Sequence, residues 1–320
     1  MNPTFEIHVL PRQTMTWNEF LANTPANSIA LDGVVHGGPC FDARSLHINF
    51  DHHGGVVREA TMSTAKQVFM AIKGGLMESF REDGRAHAHV YINDTDQDTS
   101  LAVWLLLNYK LFEGTQSVPI ISRILDLTDK WDITAGAFPI NLKEEYVRQH
   151  SWIFEPYASL RKSGQLANAD EQIMRDNLDA VMARLTKAMM GEAGEVDLDT
   201  RHEIFYDGPV FKIVDEIGGN EARYHLYSKG MNAFVSIVAR RDDGRFVYSV
   251  GRRSQYIPFP VTEILVALNK AEAAKRGEKL SETDRWGGSD LIGGSPRASG
   301  SMLTWEEIRD IILNDVLAQS

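Results

Sequence analysis

Leu46-His47-Ile48-Asn49-Phe50-Asp51-His52-His53-Gly54-Gly55 decides how this chain is read. Leu46 to Phe50 is short and largely apolar, and so reads as a buried strand. The carboxylate and two imidazoles at its end are costly to bury and hard to explain as packing. They suit a site that holds a divalent metal and meets an anionic substrate. Imidazole supplies a neutral nitrogen donor, and Asp either coordinates or fixes the ring tautomer through the second nitrogen. Gly54-Gly55 permits a sharp turn. Thr61-Met62-Ser63-Thr64 then opens a helix with Val68, Phe69 and Ile72 on its apolar face, Ser63 or Thr64 capping the first turn. Strand ends of this kind are where open α/β sheets bind ligands. The competing reading is a loop His pair beside a surface Asp.

Working outward, Phe5 to Leu10, Ser28 to Leu31 and Ala88 to Ile92 also read as strands, and Thr99 to Leu111 and Val118 to Leu127 as helices. Such alternation predicts an α/β fold with a mostly parallel sheet flanked by helices. Residues 143–190 read as wholly helical, and Gly191-Glu192-Ala193-Gly194-Glu195 as a linker. Beyond it, Phe211 to Val214, Tyr224 to Tyr227, Ala233 to Ala239 and Arg245 to Val250 read as short strands. Val261 to Lys275 and Glu306 to Leu317 read as helices, with Thr304 and Glu307 matching a capping box. The expectation is an α/β domain over 1–195 and a second, smaller α+β domain over 196–320.

With 320 residues, 43% of them hydrophobic, the chain can bury a substantial core. A formal charge of -11 argues against tight binding to long nucleic acid, but not against a small anionic substrate met by a metal or a local basic patch. The single cysteine, Cys40, fits a reducing cytosol, and the first residues lack the form of a secretory signal. The apolar run Leu101 to Leu107 is far too short to span a bilayer. A soluble, cytoplasmic protein is expected, with no membrane partner and the oligomeric state left open, a homo-oligomer included.

Candidate ligands gather at strand ends. Asp32 ends one strand, His36 and Asp42 lie in the loop after it, and Asp94, Asp96 and Asp98 follow another. In extended chain these three acids point to one side, concentrating charge that a cation would neutralise. Helix capping competes as an explanation, above all for Asp98 directly before Thr99. The acids of Asp126 to Asp132 line the site or simply charge a helix end, and His87 and His89 alternate with apolar residues as surface or packing histidines do. Further on, Gly251-Arg252-Arg253-Ser254 and Gly293-Gly294-Ser295-Pro296-Arg297-Ala298-Ser299-Gly300 combine glycines with arginine forks, as an anion-binding wall would.

On Asp51-His52-His53 after a strand and Ser63-Thr64-Ala65 opening a helix, the chain resembles the DHH phosphoesterase superfamily. Tyr248-Ser249-Val250-Gly251-Arg252-Arg253-Ser254 and the Gly293 to Gly300 loop resemble landmarks of that family's substrate domain, in the family's order. The resemblance implies that His52 binds manganese and His53 faces the phosphate. It also implies that Asp32 matches the acid bridging two metals and Asp94 the acid of the following strand. Two departures stand out. Residues 1–31 contain no Asp, so the family's first motif is absent, and Ser295 replaces the loop histidine. His36 or Asp42 would then have to compensate, or one metal or none is held.

The expected function is hydrolysis of a small phosphorylated substrate such as a nucleotide or short oligonucleotide, with Mn, or Mg, as the divalent metal. Asp32, His36, His52, Asp94 and Asp96 are the candidate metal ligands, and His53 and Asp51 the candidate catalytic pair. Arg252, Arg253, Gly293, Gly294 and Arg297 are the candidate substrate-binding groups, with closure of the two domains excluding bulk water. The alternative is a degenerate member that binds a nucleotide or partner without hydrolysing it. Metal-dependent hydrolysis of a non-phosphate substrate is a third reading.

Overall fold

The computed structural model describes residues 4–319. The chain divides into two compact units, one reaching Ile133 and resuming over Lys143–Asp197, the other combining Thr134–Leu142 with the residues from Leu198 onward. The whole is a mixed α/β structure with two sheets among the described residues.

The first unit runs β1 (Thr4–Val9), α1 (Trp17–Asn23), β2 (Ser28–Leu31), β3 (Cys40–Asp42), β4 (His47–Phe50), α2 (Thr64–Lys73), α3 (Leu76–Ser79), β5 (Arg81–Glu82) and β6 (Arg85–Ile92). It continues with α4 (Gln97–Leu107), α5 (Pro119–Ile133), α6 (Glu145–Lys162) and α7 (Glu171–Met189). The strand order is β1-β6-β2-β4-β3. β1, β6, β2 and β4 pair in parallel, while β3 joins β4, and β5 joins β6, in antiparallel sense. Every residue of β2 is buried, as a central parallel strand covered on both faces requires. Helix α4 is apolar nearly all round and buried from Asp98 to Leu106, which makes it the core helix of the unit. Leu101, Trp104 and Leu105 pack in one cluster with Ile29, Leu31, Val90 and Ile92, each burial stabilising by about 1.5–3 kcal/mol. Because β6, β2 and β4 are neighbours, with Ala30 opposite Tyr91 and Leu31 opposite Phe50, their carboxyl ends lie side by side.

The second unit runs β7 (Glu203–Asp207), β8 (Lys212–Asp215), α8 (Asn220–Ser228), β9 (Ala233–Arg240), β10 (Phe246–Arg252), α9 (Val261–Arg276), β11 (Gly287–Gly288), β12 (Ile292–Gly294) and α10 (Trp305–Ile311). Its sheet has the order β11-β12-β10-β9-β8-β7, parallel only between β8 and β9. Thr304 and Glu307 form the expected capping box.

Four sequence expectations differ from this fold. Tyr224 to Tyr227 is not a strand but the end of α8, because Ala222, Arg223, Leu226 and Tyr227 recur at helical spacing and are the buried residues. β3 and β7 are strands that the pattern did not announce. Helix α5 does not stop at Leu127 but runs on to Ile133, carrying Asp132 with it. Asp98 does not cap its own helix; Asp96 does, accepting from Thr99 N. Among the described residues no helix is long and apolar enough to cross a membrane.

Candidate functional site

The site grows from three strand ends and three helices of the first unit. Asp32 follows β2 in the left-handed region, at φ +50°, a conformation that an Asp side chain tolerates better than most. Thr64 Oγ1 at the start of α2 donates to Asp32 Oδ1 at 3.0 Å, and Thr99 Oγ1 in the first turn of α4 donates to Oδ2, also at 3.0 Å. The carboxylate is thereby fixed at both oxygens, between two positive helix ends.

Asp51, His52 and His53 leave β4 in a turn organised by Asp51. Its Oδ1 accepts from the backbone amides of His52 at 2.7 Å and His53 at 3.0 Å, and from His53 Nδ1–H at 2.7 Å. Gln67 Nε2 pins the same turn by donating to Asp51 O at 3.0 Å. Gly54 is needed here, since a Cβ would press on the Gly37 backbone at 3.3 Å. Asp51 therefore holds His53, and the His53 side chain, 45% exposed, is the part of the motif open to solvent.

His52 points inward. Its Nε2 lies 2.6 Å from Asp132 Oδ2, 3.6 Å from Asp32 Oδ1 and 3.9 Å from Asp98 Oδ2. Despite the short approach to Asp132 the alignment is not that of a hydrogen bond. Both His52 nitrogens and Asp132 Oδ2 are buried without a hydrogen-bond partner. Asp98 crosses from α4 to cap α2, accepting from Thr64 N at 2.6 Å and Ala65 N at 3.0 Å. Two sets of donor atoms, Asp32/His52/His53 and His52/Asp98/Asp132, each lie within 4.8 Å of one another.

Charge accumulates around that imidazole. Burial opposes the His52 charge, but the carboxylates of Asp132 and Asp32 outweigh it and raise its pKa to about 10. Burial likewise opposes ionisation of Asp32, yet His52, His53 and Thr99 draw it down to about 2. Asp98 is pushed well above the ordinary carboxylate range by burial and by the charges of Asp132 and Asp32. Asp96 is pushed the same way by burial and by Asp32 and Asp94, and burial raises Asp94. The carboxylates outnumber the cations beside them, His52 and the Arg58 guanidinium 3.5 Å from Asp132 Oδ1, and an added divalent ion would relieve their repulsion.

Of the residues expected here, Asp32, Asp51, His52 and His53 converge. Asp94 stands beside them, its Oδ1 accepting from Thr95 N at 2.6 Å and its Oδ2 from Tyr157 at 3.0 Å. A cavity of about 350 Å³ next to Asp94 is lined by Arg12 and Arg161. Asp96 gives one oxygen to its helix cap. His36 is exposed and belongs to neither donor set, and Asp42 accepts from Ser45 N and Oγ in a turn of its own. Asp98, Asp132, Thr64 and Thr99 complete the arrangement; the sequence leaves Asp98 between ligand and cap and Asp132 between site lining and helix end, while Thr64 and Thr99 are not among the expected site residues. The Asp129 to Asp132 spacing, once on a helix, was the available signal, since Asp129 accepts from the capping residue Ser63 at 2.8 Å.

In the second unit, Gly293 and Gly294 lie within β12, paired to β10 on one side and β11 on the other. A Cβ at Gly293 would meet Leu265 of α9 at 2.7 Å, so helix packing accounts for that glycine. Arg252 is engaged by its own loop, donating to Asp290 O at 2.9 Å and Ile257 O at 3.1 Å. Arg253 bonds through its backbone, N donating to Asn232 O at 2.7 Å. Arg297 is exposed. Ser295, standing where the resembling family has histidine, is buried and accepts from Tyr248 N at 2.9 Å.

No family model matches the chain, and no curated protein matches it. A solved structure described as an uncharacterized protein from Helicobacter pylori G27 aligns over 93% of this chain and 100% of its own, at 8% identity and a TM-score of 0.19, a likeness that carries no argument.

Proposed function

We propose that this chain is a metal-dependent phosphoesterase that hydrolyses a small phosphorylated substrate, a nucleotide or short oligonucleotide, with Mn²⁺ or Mg²⁺ held among Asp32, His52, Asp98 and Asp132. The observation that carries this reading is His52, buried with both ring nitrogens unpartnered and three carboxylates within 3.9 Å of Nε2. One imidazole among several carboxylate oxygens is a donor set that hard divalent ions accept. A bound ion of this kind lowers the pKa of a water and polarises a phosphoryl oxygen.

The protein's own groups do the rest. Asp51 holds His53 through Nδ1–H, which leaves Nε2, when it too carries a proton, to donate to a phosphate oxygen or to protonate the leaving oxygen. Arg12 and Arg161, which line the cavity beside Asp94, supply cationic groups for the remainder of the substrate. The single Cys40 suits a reducing cytosol as the place of action.

Non-catalytic nucleotide or partner binding is favoured by one observation. Where the resembling family carries acids after its first strand, β1 leads into Pro11-Arg12, and Arg12 donates to Ala169 O at 2.7 Å. The deciding experiment screens small phosphodiesters and nucleotides with added Mn²⁺, followed by metal analysis of the active fraction. Turnover that requires metal and is lost in His52→Ala supports hydrolysis. Metal content below about half an equivalent with no turnover favours binding alone.

A further inference from the structure

A second group of imidazoles occupies the opposite sheet face from the core-facing residues of β1 and β6. Glu6 and His8 alternate with Phe5 and Ile7 on β1, His87 and His89 with Ala88 and Val90 on β6, and Glu6 sits directly opposite His89 in the parallel register. Three donor atoms converge. His89 Nδ1 is 3.2 Å from Glu6 Oε2, His8 Nε2 is 3.3 Å from His89 Nδ1, and His8 Nε2 is 3.9 Å from Glu6 Oε2. Ligands about 2.0–2.1 Å from a tetrahedral Zn²⁺ stand roughly 3.3 Å apart, so these separations are close to the edge of such a coordination shell.

The surroundings hold the donors in place. Behind His89, His87 Nε2 lies 3.2 Å from His89 Nε2, where it can accept the N–H that a metal-bound imidazole turns away from the ion. His87 Nε2 is in turn 3.6 Å from Glu82, and its Nδ1 is buried without a partner. His8 stacks on Tyr91 at 4.5 Å between centroids, and Tyr91 is set edge-on against buried Phe20 at 5.5 Å, so the His8 ring is fixed on the sheet. Arg175, whose charge bears on His8, is paired with Glu171 at 2.8 Å. Two imidazoles and one carboxylate leave a fourth position toward solvent, where Glu6 is 52% exposed.

We infer that Glu6, His8 and His89 form a second metal site, remote in chemistry from the acidic centre, which takes an imidazole-seeking divalent transition ion such as Zn²⁺ with water in the fourth position. Nitrogen donors select such an ion, whereas the oxygen-rich centre around Asp32 suits harder ones. The inference does not depend on phosphoesterase activity.

Co²⁺ titration of the metal-stripped full-length protein, read by visible absorption, tests the site in wild type, Glu6→Ala, His8→Phe, His52→Ala and Asp132→Asn. His8→Phe keeps the ring stacked on Tyr91, and Glu6 lies on the surface, so both variants are expected to retain the wild-type circular dichroism. The expected result is a set of tetrahedral Co²⁺ bands that persists in His52→Ala and Asp132→Asn and loses about tenfold or more in affinity in Glu6→Ala and in His8→Phe. The proposal is overturned by wild-type affinity in both Glu6→Ala and His8→Phe, by bands that vanish with His52 and Asp132, or by no tetrahedral bands in the wild type.

Discussion

His52 Nε2 lies 2.6 Å from Asp132 Oδ2, joining the second residue after β4 to the last turn of α5. Since the two groups meet without hydrogen-bond alignment, the contact reads as two ligands converging on a common point. Asp132→Asn keeps the shape and removes the charge. It is expected to weaken Mn²⁺ binding by about 10- to 100-fold. Calorimetric titration measures this, and unchanged affinity would remove Asp132 from the metal set.

Proton release is the second expectation. In the metal-free protein His52 keeps its proton until about pH 10, so at neutral pH an incoming ion must displace it. Affinity should therefore rise with pH by up to about tenfold per unit between pH 6 and 8, and further where the raised carboxyls of Asp96 and Asp98 also give up protons. Titration in buffers of different ionisation enthalpy counts the protons. A count of zero at pH 7 would mean that His52 does not coordinate.

Arg161 is exposed in the last turn of α6 and lines the cavity beside Asp94. Arg161→Ala is expected to raise KM several-fold while kcat changes by less than about twofold, the signature of uniform substrate binding. A fall in kcat at constant KM would assign this side chain a different role.

Stability should respond to acid through His150. Burial on α6 depresses its pKa from 6.5 to about 3, with Nε2 3.0 Å from Thr128 Oγ1. The unfolded chain takes up the proton first as pH falls, so the stabilisation is complete above pH 6.5 and is lost progressively down to about pH 3. Denaturant unfolding should show a contribution of about 1.4 kcal/mol per pH unit within that window. It should be absent in His150→Phe, and equal slopes in both proteins would contradict the assignment.

Much of this molecule was legible before any coordinates. The buried run Ser28 to Leu31, the Leu46 to Phe50 strand and the helix opened by Ser63 rest on local apolar spacing and capping, and each folds as that spacing dictates. Parallel neighbours then place Asp32 beside Asp51-His52-His53, which is why the centre of the site was readable. Tyr224 to Tyr227 misled because four residues carry too little periodicity to separate a strand from a helix end. At Gly293 the sequence alone cannot separate a glycine required by helix-on-sheet packing against Leu265 from one that lets a ligand approach, because both leave the same residue.

What local sequence determined, then, was the strands, the helices and the acids at their tips. Only the tertiary structure decided that Asp98 would cap a foreign helix, that Asp132 would end a longer α5 against His52, and that Glu6, His8 and His89 would share one sheet face. The reason is physical. Capping, periodicity and turn preference act over a few residues, whereas the rotation of a helix about its axis and the register between strands are set by burying apolar surface across the whole unit.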